Sequence, residues 1–186
     1  MIRAAYNRLR SLLGRFGKAR EGAAAVEFAL ILPFMLMLYT GSIELSDLIN
    51  VDRRITVISS TVGDLVARKK NGITQADLND YFTAAEEIIT PYVTTGLKQL
   101  ITCVKINAAG TTATVQWSKG SGGATERTGT VTLPAAILNI SKDKYVILSE
   151  TEYSYKPLMG IVFQSALTMI RQQFHLPRFG GNIALQ

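Results

Sequence analysis

A glutamate stands near the start of an apolar run long enough to cross a bilayer, and this feature constrains the chain more than any other. Residues 23–43 are apolar apart from Glu27 and small hydroxyls. As a helix rising about 1.5 Å per residue, they reach about 31 Å, against a hydrocarbon core of about 30 Å. A carboxylate inside such a segment costs roughly 2.5–3.5 kcal/mol at mid-bilayer, so Glu27 reads as functional. Ahead of the run, residues 1–22 hold Arg3, Arg8, Arg10, Arg15, Lys18 and Arg20 against Glu21 alone, a net of +5. Residues 23–186 then carry only +1 of the chain's +6. The excess charge is therefore a leader feature that marks the cytoplasmic side. It is not the basic patch on a folded domain that a nucleic-acid partner requires.

A secretory signal is the competing reading of this segment. Residues 28–39 have the length of its apolar core, but no small-x-small cleavage site follows, and Glu27 sits at the edge. Within the leader, Leu9, Leu12, Leu13 and Phe16 fall on one helical face among arginines, as in a basic amphipathic stretch resting on the inner leaflet. Pro33 removes one helical hydrogen bond and predicts a bend in the first third of the span.

The helix is expected to continue beyond the apolar run. Leu48, Val51, Ile55, Ile58, Val62 and Leu65 keep a 3,4 spacing, the seam of an amphipathic helix. This seam is expected to pack on the chain's own head, with contact to a partner subunit as the alternative. Arg68, Lys69, Lys70 and Gly72 end the helix. A second helix starts at Thr74, with Asp77 completing a capping box, and presents Leu78, Phe82, Ala85, Ile88 and Ile89 before Pro91 stops it. From residue 99 the period falls to two. Strands are expected at 99–107, 111–118, 145–156 and 165–176, with Ala113, Val115 and Trp117 sharing a face. Residues 133–139 read as a short helix or turn, and the glycine-rich end as a loose tail. The fold class is α+β: a long N-terminal helix packed on a head with a second helix and an antiparallel sheet of about four strands.

No catalytic constellation emerges. Cys103 has no second cysteine to pair with and reads as a small buried apolar side chain. His175 is the only histidine and stands at a strand end before Pro177. Glu150 and Glu152 share a strand face that reads as solvated, and Glu86, Glu87, Asp77 and Asp80 read as helix surface charge. Gly120, Gly122 and Gly123 lack the context of a phosphate-binding loop. Tyr153 and Tyr155 point to one face and are expected to pack under the long helix, an exposed partner-binding strip being the alternative. No cofactor, metal or enzymatic activity is expected.

Gly22 closing a basic leader, then Ala23-Ala24-Ala25-Val26-Glu27-Phe28 opening an apolar helix, is similar to the layout of type IV prepilins. Ala-Val-Glu-Phe-Ala-Leu-Ile-Leu-Pro at 25–33 resembles the start of TadE-like proteins, minor pilins of the Tad (Flp) pilus machinery. Val51-Asp52-Arg53 with residues 61–67, and the Glu150-Thr151-Glu152-Tyr153-Ser154-Tyr155-Lys156-Pro157-Leu158 strand, resemble later parts of the same family. Ala23 departs from the Phe or Met that type IV pilins carry at that place.

The resemblance implies a minor pilin or pseudopilin that takes part in pilus assembly or initiation, and thereby adhesion. It implies cleavage between Gly22 and Ala23 by a prepilin peptidase, and Glu27 pairing with the new α-amine of a neighbouring subunit. The implied partners are that peptidase, other minor and major pilins, the inner-membrane assembly platform and membrane lipid. The expected organisation is a cytoplasmic leader (1–22), a transmembrane helix (23–43), its periplasmic extension (44–72), an α+β head (73–178) and a tail (179–186). An uncleaved single-pass periplasmic scaffold or sensor of the inner membrane is the alternative.

Overall fold

The computed structural model describes residues 21–186 except Asn71, Leu158, Met159 and Val162. The amphipathic expectation for the leader lies outside these residues. One helix, α1 (Glu21–Ala67), runs through both the apolar stretch and the seam and continues through Pro33. The second helix, α2 (Gln75–Ile89), opens as expected. The Thr74 hydroxyl accepts the Asp77 N–H, and Asp77 in turn accepts the Thr74 N–H. Leu78, Phe82, Ala85 and Ile89 form its buried face.

The sheet is antiparallel throughout: β1 (Leu97–Ile106), β2 (Ala113–Ser121), β3 (Thr130–Val131), β4 (Tyr145–Tyr155) and β5 (Leu167–His175). Its order is β3-β2-β1-β4-β5. Four strands match the expected ones; β3 is a two-residue addition at the edge. The short helix α3 (Ala135–Ile140) follows it. The head is thus α+β, as expected.

Helix α1 lies across one face of the sheet. Val51, Ile55, Ile58 and Val62 enter the core with Leu78, Phe82, Ile89, Ile101, Cys103, Ile147, Tyr153 and Tyr155. The seam drifts at its end: Val66 is buried and Leu65 only half-buried. A straight helix at about 3.6 residues per turn cannot hold a strict 3,4 repeat, so the stripe rotates by one residue. Beside it runs a ridge of small residues, Ser59, Gly63 and Ala67, all buried. A Cβ on Gly63 would lie 2.5 Å from the His175 ring, so only glycine lets the helix approach β5 this closely. The Ser59 hydroxyl donates to the Ser149 carbonyl at 2.8 Å.

The opposite face has its own small core of Val104, Ile106, Ala113, Leu133, Val146 and Leu148, covered in part by Ile137 and Leu138. Here one expectation fails. A register shift between Cys103 and Val104 sets Cys103 opposite Trp117 but Val104 opposite Val115. This bulge reverses the alternation, so Trp117 joins the helix side while Ala113 and Val115 face away. The tail is not loose either. Ile183 is buried, Ile73 donates to Ala184 and accepts from Gln186 at 2.9 Å each, and the Trp117 indole donates to Ile183 at 2.6 Å. Ile183, with Leu185 packed beside it, and these hydrogen bonds close the far end of the core.

Candidate functional site

The N-terminal stretch of α1 is built for surroundings other than this chain. Phe28, Phe34 and Leu38 are 59%, 69% and 75% exposed, and none of the most apolar window is buried. Mean hydropathy there is 1.9, enough to cross a membrane by length and composition. The few hydroxyls bond inside the helix: Thr40 donates to Leu36 at 2.8 Å and Ser42 to Tyr39 at 2.7 Å. That satisfies both aliphatic hydroxyls of the stretch within the helix itself.

Gly22, Ala23, Glu27 and Pro33 all lie on this stretch and all are exposed. A Cβ at Gly22 would meet nothing within 4 Å. The fold therefore asks for no glycine there, although glycine in a helix costs about 1 kcal/mol relative to alanine. Glu27 is exposed and makes no hydrogen bond or ion pair to the described residues. Pro33 supplies no N–H to the Ala29 carbonyl.

The junction between span and head is polar and tightly tied. Glu44 is 2% exposed, and its carboxylate accepts the backbone N–H groups of Ile161 at 2.9 Å and Phe163 at 3.2 Å. One turn on, Asp47 accepts the Tyr92 hydroxyl at 3.3 Å. Burial first, then the Asp47 charge, pushes the Tyr92 phenol up. Tyr92 packs edge-on against Tyr155 at 6.1 Å, and Arg54 lies over its ring while donating to Ile88 at 2.6 Å. Asp52 pairs with Arg171 of β5. Sequence reasoning missed Glu44. Its signal was a single carboxylate between Ile43 and Leu45, where the apolar run ends.

The remaining candidates resolve into packing and surface pairs. Cys103 is buried, and burial pushes its thiol up to about 12, far from a reactive thiolate. Tyr153 and Tyr155 are core residues. Glu150 does not sit on a solvated face: it is 8% exposed, and Arg127 grips it through two bonds of 2.8 Å while Gln172 donates at 2.6 Å. Glu152 pairs separately with Lys98 at 2.8 Å. Each carboxylate has its own cation. His175 is half-buried against Gly63, and burial lowers its pKa. Among the described residues no group of His, Cys, Asp and Glu could hold a metal.

Residues 22–59 match the family model described as TadE-like protein. No curated protein and no solved structure matches the chain. The matched segment begins at Gly22, takes in the whole apolar stretch and Glu44, and ends at Ser59, where the helix packs on the sheet. The resemblances at residues 61–67 and 150–158 lie beyond it.

Proposed function

We propose that this chain, TadE-like over residues 22–59, is a minor pilin or pseudopilin of a Tad (Flp) pilus system. The observation that carries the reading is the match starting at Gly22, on a helix where Gly22 and Glu27 are exposed and make no contact or hydrogen bond that the fold of the described residues needs. In this reading residues 1–22 are a cytoplasmic leader, residues 23–43 cross the inner membrane, and the head faces the periplasm. A prepilin peptidase cuts between Gly22 and Ala23, where the absent side chain lets backbone enter a tight site. The new α-amine of Ala23 and the Glu27 carboxylate then lie about 6 Å apart along the helix axis. Glu27 pairs with the α-amine of a neighbouring pilin, which neutralises both charges and sets the stagger between helices, a use of buried ion pairs better attested than raw stability. The protein works structurally, in pilus assembly or initiation and thereby in adhesion, with other pilins and the assembly platform as partners.

Intact-mass analysis of the membrane-extracted protein tests this. Loss of residues 1–22 is expected, and Gly22→Leu should leave the uncut precursor. A wild-type mass that retains the leader in cells holding the peptidase would favour an uncleaved single-pass scaffold.

A further inference from the structure

We propose that the span-facing end of the head is seated in the headgroup layer of the leaflet from which α1 emerges. This rests on the membrane-span part of the proposed function, and on neither cleavage nor entry into a pilus. The apolar stretch ends at Ile43, and the head is tied to α1 immediately beyond it. Glu44 holds Ile161 and Phe163 by their backbone N–H groups, and Asp47 holds the loop 90–96 through Tyr92. Residues 44–47 extend about 6 Å past the span. A bilayer of about 40–45 Å with a core of about 30 Å leaves roughly 5–7 Å of headgroup region on each side. Both segments are therefore fastened at headgroup depth.

Their surface suits that depth. Val93 and Ile161 are 69% and 47% exposed. Pro157, Gly160, Ile161 and Phe163 carry no charge, and the exposed Lys156 precedes them as a cation for lipid phosphate. Between Tyr92, Val93, Tyr155 and Lys156 opens a groove of about 700 Å³. One loop at the other end of the sheet reads differently: Ser141-Lys142-Asp143-Lys144 there is almost wholly charged. The apolar patch continues the lipid-facing surface of α1, which points to lipid as its occupant. Passage into a fibre would then have to lift these loops out of the leaflet.

Depth-dependent quenching of the full-length protein tests the proposal. Val93→Cys, Ile161→Cys, Leu36→Cys in the span and Ile140→Cys on the far helix each take an environment-sensitive dye. Buried Cys103 stays unlabelled, and the wild-type chain is the blank. The proteins are placed in phosphatidylethanolamine–phosphatidylglycerol vesicles containing spin-labelled lipid. Emission should be lost at 36, 93 and 161 and kept at 140. Quenching at 36 but not at 93 and 161 overturns the proposal and leaves the span standing. Dyes at 93 and 161 that are hidden from a water-soluble quencher yet untouched by lipid would mean another protein covers the patch, which also overturns it. No quenching at 36 removes the span and the proposal together.

Discussion

Glu27 and Glu44 occupy one continuous helix and meet opposite fates. Glu27 is exposed on an apolar stretch and bonds to none of the described residues; Glu44 is buried and accepts two backbone N–H groups from the head. Gly22 and Gly63 divide the same way. Gly22 borders open space, whereas Gly63 touches the His175 ring. Similar residues in one helix are thus committed to different partners, the first half outward and the second half inward. A residue whose type the fold does not need, in the first half, is the one to read as functional. In the second half the same residue types are structural.

The largest effect should come from a charge in the inward half. Val62→Asp places an unpaired carboxylate in the core beneath the helix and should destabilise the head by about 3–5 kcal/mol. Leu36→Ala, on the exposed half, should leave the head's unfolding midpoint unchanged. Denaturant unfolding of both variants checks the pair. An unmoved midpoint for Val62→Asp would break the division between halves.

The two glutamates give the next test. Glu44→Ala strands the N–H groups of Ile161 and Phe163, at about 1–3 kcal/mol for each that stays buried. Hydrogen exchange at those two amides should rise and the midpoint fall. Glu27→Ala should change neither, while weakening association with other pilins. Equal loss of head stability from both substitutions would mean that Glu27 has a partner within the chain.

Much of this division was legible in the sequence. Hydrophobic period separated the all-round apolar stretch from the one-sided seam, the Thr74–Asp77 pair fixed the start of α2, and four strands stood out by alternation. What escaped depends on tertiary geometry. The bulge at Cys103 and Val104 moves Trp117 to the other face, and no local residue announces it. The tail is docked by backbone bonds to Ile73, which side-chain pattern does not encode. Glu150 looked solvated because its cation, Arg127, arrives from a distant loop. Of the candidate site, Gly22, Ala23 and Glu27 were visible as a motif. The Glu44 tether was not, since backbone N–H groups carry no sequence signature.

A finer test compares the glycines. Gly63→Ala forces a methyl against the His175 ring and Ser149, with clashes of 2.5 and 2.9 Å to relieve. Overpacking of this kind costs about 1–3 kcal/mol. Gly22→Ala meets nothing and should stiffen the helix end by up to about 1 kcal/mol without touching the head. Thermal unfolding should therefore move down for the first and stay level for the second. A tolerant Gly63 would mean that helix and sheet are less tightly apposed than the small-residue ridge requires.

The smallest expected effect tests how dry that apposition is. His175 lies against Gly63, and its Nε2 is buried without a hydrogen-bond partner among the described residues. Burial lowers its pKa from the ordinary 6.5, Arg178 adds to the lowering, and Asp64 opposes it. The folded chain thus disfavours the proton that the unfolded chain accepts. Above the ordinary value both states are neutral and the contribution to stability is complete. As pH falls below it, the unfolded chain protonates first, and stability is lost until the folded pKa is reached. The unfolding midpoint should decline modestly from about pH 7.5 to 5.5, and His175→Gln should flatten the decline. The carboxylates nearby do not confuse this window. Arg68 and Arg178 hold Asp64 low, and Lys69, helped by Thr74, draws Asp77 down to about 2. A wild-type midpoint that is level across this range would mean water reaches the His175 ring, and that the inward half of the helix is not sealed at its closest contact.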